Sequence, residues 1–500
     1  MKSFSLLLIT LLCSTTGLHA TQPPQLVVMV SIDQFRVDYL TRFRPHFGPD
    51  GINRLMDEGA NFDNCHFNHA VTKTAPGHTT MLTGVNANDH GIIDNSWIDR
   101  NTFQSTSAME DLSERVIGLP ADVAPDAFTP MSPRNILTTT VGDEMKLARN
   151  GELKVIGLSL KHRAAIGMTG KLADAAYYFE RDRMVSSRYY FDALPAWAQA
   201  WNEAGNWAEY FSQVWDRAVP VAAYDALQGP DDAPGEDGDY AHLGRTFPKT
   251  ITGGETAPGT GFYEAMRHTP FANELLADFA KSAIAGETLG SRAGVTDLFC
   301  LSLSSNDHVG HLYGPNSHEV MDMVIRTDRV IEDLLHFLDE HIGRDRYLFI
   351  LTADHGVCPT PEYIHQLEPQ MPAGRIDEAN LSAVCENALT QAFGPLEQAK
   401  SWTARSGAAF LLRPAALREN GVDAGAAQEI VRKALLTIDS VQDAYTRRHL
   451  ERGDVQNALG LSMLLSFNRE RSADILYQPK PYYFSRDTGT NHGAPYNYDN

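Results

Sequence analysis

The chain has 500 residues, 43% hydrophobic and 21% charged, an ordinary globular composition with length enough for a large core and for one large domain with insertions or two to three smaller ones. Its formal net charge of −21 argues against nucleic acid or an anionic membrane as a partner, so an anionic substrate would need positive charge supplied locally.

Met1-Lys2, the apolar run Phe4 to Leu12 and the small-residue end at Ala20 predict a secretory signal peptide over residues 1–20. The mature chain is then expected to be periplasmic or secreted, with no membrane segment beyond the signal. Cys13 falls in that signal, and Cys65, Cys300, Cys358 and Cys385 show no C-x-x-C spacing, which speaks against a zinc ribbon or redox motif. Cys300, in "DLFCLSL", reads as a buried thiol. An oxidising compartment would permit a disulfide, but the spacing gives no pairing.

The run "QLVVMVSID" predicts a buried strand ending at Asp33. In "TKTAPGHTTMLTG", Pro76 and Gly77 predict a tight turn after Thr74, and His78 to Thr83 a short helix closed by Gly84. Thr74 would sit at the helix N-terminus, either as an ordinary cap or beside a bound phosphate or other anion. A second buried strand, "KVIGLSLK", is followed by Lys161 and Arg163, which would point to one side of an extended chain.

Residues 171–265 are rich in Tyr, Trp, Gly and Pro and break the rhythm as an inserted cap segment; within them "GPDDAPGEDGDY" reads as a solvated surface loop. Two more apolar runs, "VTDLFCLSLSSND" and "RYLFILTADHG", bracket a helix in which Val320, Met321, Val324, Ile331, Leu334, Leu335 and Leu338 keep helical spacing up to Gly343. Strand, helix, strand is a βαβ unit, so the fold class is α/β with a doubly wound, mainly parallel sheet in three layers. Residues 359–480 read as an inserted small α+β cap domain, which leaves 21–170, 266–358 and 481–500 as the catalytic domain.

Each strand runs into a polar cluster: Asp33, then Asp307 and His311, then Asp354 and His355, with His492 near the end. Ligands bind at the carboxyl ends of strands in such sheets. Carboxylate oxygen and imidazole nitrogen without thiolate form a ligand set that zinc accepts, and six ligands suffice for two Zn²⁺ per chain with open positions. Two ions about 4 Å apart make a clamp for in-line displacement at phosphorus. A threonine hydroxyl is a weak nucleophile until a metal activates it, which would give Thr74 a use.

The order Asp33, Thr74, Asp307-x-x-x-His311, Asp354-His355, His492, with "TAPGHTTMLTG", "HGIIDNSW", "SSNDHVGHLYGPNS" and "ADHG", resembles the alkaline phosphatase superfamily with a type I phosphodiesterase/nucleotide pyrophosphatase-like core. The resemblance implies a two-zinc site and a covalent phosphothreonine. Asp307, His311 and His492 would bind the zinc facing the leaving group, and Asp33, Asp354 and His355 the zinc that activates Thr74, itself a metal-bound nucleophile. Sulfatases of this superfamily use C/S-x-P-x-R, and His78 stands here at the Arg position. The Lys161-x-Arg163 pair resembles the phosphate-irrepressible, PafA-type alkaline phosphatases with a Thr nucleophile. There Asn95, Lys161 and Arg163 would hold the phosphoryl oxygens, the two cations matching the extra charge of a monoester; a diesterase or nucleotide pyrophosphatase is the alternative. Expected partners are small phosphate esters, without nucleic acid. The chain stops at Asn500, eight residues past His492, whereas the family continues, so the edge holding His492 is expected to be less well packed.

Overall fold

A computed structural model describes residues 22–124 and 126–500; the expected signal peptide lies outside the described residues. The main sheet has seven strands: β1 (Leu26–Ile32), β2 (Val116–Ile117), β3 (Val155–Ser159), β4 (Ala175–Glu180), β5 (Arg183–Ser187), β6 (Asp297–Leu303) and β7 (Tyr347–Thr352). They lie side by side as β7-β1-β6-β3-β4-β5-β2. The five from β7 to β4 run parallel; at one margin β5 pairs antiparallel with β4, and β2 pairs antiparallel with β5. The four apolar runs are thus adjacent strands of one α/β sheet.

Their register decides the site. Ile32 pairs with Leu303, Ser31 with Thr352 and Ser302 with Ser159, so four strands end level and their following residues emerge along one edge. Alternate residues of the strands, Val28, Val30, Phe299, Leu301 and Leu158, are wholly buried against helices. Each such side chain contributes about 1.5–3 kcal/mol relative to exposure. The covering helices include α4 (Pro270–Gly286) and α6 (His318–His341); earlier in the chain are α1 (Thr74–Thr83), α2 (His162–Gly167) and α3 (Thr260–Arg267), and α5 is Ser305–Tyr313. Helix α6 starts where Ser317 Oγ accepts the Val320 N–H, and its apolar stripe from Val320 to Leu338 is buried.

A second sheet is formed by β8 (Thr403–Ser406), β9 (Ala409–Leu412), β10 (Val441–Thr446) and β11 (Ile475–Pro479), antiparallel in the order β8-β9-β11-β10. Its own apolar cluster joins it to helices α7 (Glu378–Phe393) and α8 (Ala424–Leu435).

Four expectations need correction. Residues 175–187, placed in the insertion 171–265, are β4 and β5 of the main sheet, because the apolar "AAYYF" buries on both faces next to β3. The run in β7 is an edge strand with Leu348 49% exposed, since an apolar run does not reveal whether a neighbour covers it. The acidic loop is not wholly solvated, because Glu236 is buried within it. The edge at His492 is tightly packed: Asp499 accepts the N–H groups of Gly493 and Ala494, while the Gly356 and Val357 N–H groups donate to the carbonyls of Asp499 and Tyr498. The four cysteines from Cys65 onward are free, Cys300 buried among them.

Candidate active site

Asp33 follows β1 directly, Asp307 stands in the first turn of α5 after β6, and Asp354 and His355 follow β7. Level strand ends bring these groups together from far apart in sequence. His311 is one helical turn beyond Asp307, and its Nε2 lies 3.2 Å from Asp307 Oδ1; His492 Nε2 lies 3.4 Å from the same oxygen. His355 Nε2 is 3.2 Å from Asp354 Oδ2 and 3.4 Å from Asp33 Oδ1. The His355 and His492 rings stack at 3.6 Å.

All three imidazoles are turned the same way. Nδ1 of His311, His355 and His492 meets the carbonyls of Thr490, Gly356 and Thr72 at 2.9, 2.9 and 2.8 Å. Donating Nδ1–H to a carbonyl leaves Nε2 unprotonated and aimed at the carboxylates, the tautomer a metal ligand needs. Burial pushes His355 down to about 3 and lowers His492. Burial and the neighbouring Asp354 raise the Asp33 carboxyl against the pull of Lys161. Burial works against charge on Asp307 too, but His311 and Lys161 overcome it and hold that carboxyl low.

The donor set fits a cation. Asp33 Oδ1, Asp354 Oδ2 and His355 Nε2 are buried without a hydrogen-bond partner. A buried polar atom without a partner carries a penalty of about 1–3 kcal/mol that a bound ion removes. Two trios, Asp33/Asp354/His355 and Asp307/His355/His492, each bring ligand atoms within 4.8 Å of one another, with His355 common to both.

Thr74 opens α1 and is buried. The helix starts at Thr74 and not at His78, because Pro is tolerated in a first turn whose N–H groups lack partners, and Gly77 N already donates to Lys73 O. Gly77 also permits close approach: a Cβ there would sit 2.3 Å from the Asp354 carbonyl oxygen. Asn95 Oδ1 accepts the Ala75 N–H at 2.8 Å, fixing Asn95 at the helix start. Lys161 Nζ, buried, reaches Asp33 Oδ2 at 2.6 Å and Asp307 Oδ2 at 2.5 Å. Arg163 does not share an extended chain with it, since Lys161 is the extended N-cap of α2 and Arg163 is already helical. Lys161 alone of the two makes a hydrogen bond to the carboxylates of the site among the described residues.

Two groups escaped the sequence reading. Gln34 Nε2 donates to Asp307 Oδ1 at 2.6 Å while its N–H reaches Asp354 Oδ1 at 3.2 Å, so one residue ties both trios. Its φ of 66° is left-handed, a strained state for a glutamine that no local motif announces. His78 places Nδ1 2.8 Å from the Thr74 carbonyl and 3.1 Å from Asp354 Oδ2, and Nε2 3.0 Å from Ser302 Oγ. The signal for His78 was its place one turn beyond Thr74, visible only once the helix begins at Thr74.

Residues 27–495 match the family described as type I phosphodiesterase / nucleotide pyrophosphatase. The chain is 31% identical over 484 residues to a Myroides odoratus protein named calcium-transporting ATPase, covering 96% of this chain and 86% of that one. It is 31% identical to alkaline phosphatase PhoV of Synechococcus elongatus, covering 95% and 84%. The crystal structure of alkaline phosphatase PafA superposes with a TM-score of 0.87 at 29% identity, over 96% of this chain and 90% of that one. A family match across nearly the whole chain, level strand ends and a threonine-headed helix beside clustered Asp and His side chains place this chain in the type I phosphodiesterase / nucleotide pyrophosphatase family.

Proposed function

We propose that the chain is an exported, zinc-dependent alkaline phosphatase that hydrolyses phosphate monoesters through a phosphothreonine at Thr74. The observation that carries this is the convergence of Asp33, Asp307, Asp354, His355 and His492 in two ligand trios, with His311 Nε2 3.2 Å from Asp307 and with Asp33 Oδ1, Asp354 Oδ2 and His355 Nε2 left without partners. The similarity to PhoV and PafA supports the same chemistry.

Asp307, His311 and His492 would hold one zinc, and Asp33, Asp354 and His355 the other. Bound there, the ions would supply Lewis acidity that lowers the pKa of the Thr74 hydroxyl and offsets charge on the leaving oxygen. Thr74 Oγ1 loses its proton and bonds to phosphorus in line as the bond from phosphorus to the leaving alcohol breaks. Water then takes the phosphoryl group from Thr74, releasing inorganic phosphate. With its Oδ1 engaged by Ala75, Asn95 offers its Nδ2 amide to a phosphoryl oxygen. Lys161 and Arg163 supply the positive charge that a monoester dianion needs more than a diester does. His78 steadies the first turn of α1 by holding the Thr74 carbonyl.

The test is the monoester-to-diester ratio of kcat/KM, measured beside metal content. Lys161→Ala with Arg163→Ala should lower monoester kcat/KM by roughly a hundredfold or more and diester turnover much less. Equal losses on both substrates would leave the diesterase reading in its place.

A further inference from the structure

A cavity of about 70 Å³ shares its wall with the candidate phosphoryl site. Three of the residues lining it are chain neighbours of residues already placed there: Lys73 precedes Thr74, Asp94 precedes Asn95, and Gly493 follows His492. Contacts lock these neighbours together. Lys73 Nζ pairs with both Asp94 oxygens at 2.8 Å, Asp94 Oδ1 accepts the Asn95 N–H at 2.6 Å, and His492 Nδ1 meets the Thr72 carbonyl at 2.8 Å. A Cβ on Gly493 would sit 3.0 Å from Lys73 Cε, and one on Gly407, at the tip of the β8–β9 hairpin, 3.1 Å from Asp94 Oδ2.

Beyond that shared edge the lining is largely apolar. Ile93 and Trp97 belong to one hydrophobic cluster, and Leu411, Met463 and Leu476 to another that includes the second sheet, so the cavity lies at the seam between the two. The cations in its wall are already engaged. Asp94 holds Lys73, while Arg471 Nη1 donates to the carbonyls of Gly91 and Asn135 at 2.6 and 2.7 Å, with its guanidinium 5.2 Å from the Trp97 ring centre. A charged occupant would lose its water without gaining a free opposite charge, whereas a hydrocarbon gains by leaving water. At about 10–15 Å³ for each water-sized occupant, the space suits roughly five to seven heavy atoms.

We propose that this cavity takes the uncharged end of the leaving alcohol, so that the monoesters hydrolysed best are those of an apolar alcohol, a short alkyl chain or a single ring. This rests on the phosphomonoesterase reading above. In-line attack by Thr74 sends the leaving oxygen to the opposite face, toward Asp307, His311 and His492, and Gly493 continues from that face into the wall of the cavity.

Methyl phosphate and hexyl phosphate make a matched pair, because their leaving alcohols differ little in acidity and the hexyl chain adds only methylenes. Each methylene fully removed from water is worth up to about fourfold, so the metal-loaded full chain should prefer hexyl phosphate by about thirtyfold or more in kcat/KM. Ala408 lines the cavity at an exposed position of the β8–β9 hairpin, where a larger side chain can be added without disturbing a core. Ala408→Trp should bring the preference to within about threefold and leave methyl phosphate within about twofold of the parent, and Ala408→Leu should lie between. Equal kcat/KM for the two esters in the parent, or a preference that survives Ala408→Trp, overturns the proposal. Calorimetric binding of both esters to Thr74→Ala reads the same preference without turnover: hexyl phosphate should bind more tightly and with the more negative heat-capacity change. Equal affinities there also overturn it, whereas failure of the phosphatase reading would be seen separately, as absent turnover of both esters by the parent.

Discussion

Gln34 shows how one side chain can join two halves of a site. Its amide holds an oxygen of Asp307 and its backbone N–H holds one of Asp354, while Gly310 leaves room for it, since a Cβ at Gly310 would fall 1.8 Å from Gln34 Oε1. Groups that orient ligands are worth about 10–100-fold in metal affinity. Gln34→Ala should therefore weaken metal binding by a factor in that range, measured by competition with a chelator; unchanged affinity would reduce Gln34 to a packing residue. Thr74 makes a contrasting case. If it is the nucleophile, Thr74→Ala should abolish turnover while metal content stays at the parent's level, and acid quench with labelled substrate should leave phosphate on Thr74 in the parent alone. Label recovered from any other residue would contradict the assignment.

Helix α1 is positioned by what it lacks as much as by what it carries. Its N-cap, Lys73, makes no side-chain capping bond; that side chain instead pairs with Asp94 at 2.8 Å, and Asn95 takes the Ala75 N–H. Gly77 lets the first turn rest on the backbone of Asp354, and Gly84 ends the helix at a φ of 70°. Gly77→Ala should push α1 off Asp354. Overpacking of this kind costs about 1–3 kcal/mol, and a shift of Thr74 should lower kcat well beyond what the loss of stability explains. Denaturant unfolding and steady-state kinetics check the two effects; a variant with parent kcat would show that the close approach is not needed for the chemistry.

At the scale of the molecule, charge sets a dependence on pH. Lys249 and Glu319 are fully buried 2.9 Å apart, and Glu236 is buried near them. Burial, then the charge of Glu319, raises Glu236 to about 9 against the pull of Arg245, from an ordinary value of 4.5. Between those values the folded chain keeps a proton that the unfolded chain has released. The stabilising contribution is therefore complete below about 4.5 and is lost as pH rises through 9. Glu236→Gln should flatten the stability curve across this window and stabilise the chain at pH 9 by on the order of a few kcal/mol. Denaturant melts at pH 5, 7 and 9 would show it, and parallel curves for parent and variant would refute the buried charge. The same variant should leave the candidate site's metal affinity unchanged, since Glu236 lies outside both ligand trios.

By itself the sequence determined the strands and the chemistry at their ends. Apolar runs of β-branched and aromatic residues stopping at Asp33, Asp307 and Asp354 are local patterns, and a parallel sheet with helical crossovers is the arrangement that buries them. The helix from His318 was legible for the same reason, its apolar stripe repeating at helical spacing. What only the tertiary structure decided depends on distance across the chain. The level register of four strands, the shared place of His355 between two trios and the left-handed turn at Gln34 arise from contacts hundreds of residues apart. Lys161 and Arg163 illustrate the difference: their spacing suggested one face of an extended chain, yet the helix begins between them. Lys161 reaches the site's carboxylates because of where the end of β3 lies in the sheet. Local pattern reports which face a residue wants to bury; packing alone chooses the neighbour that covers it.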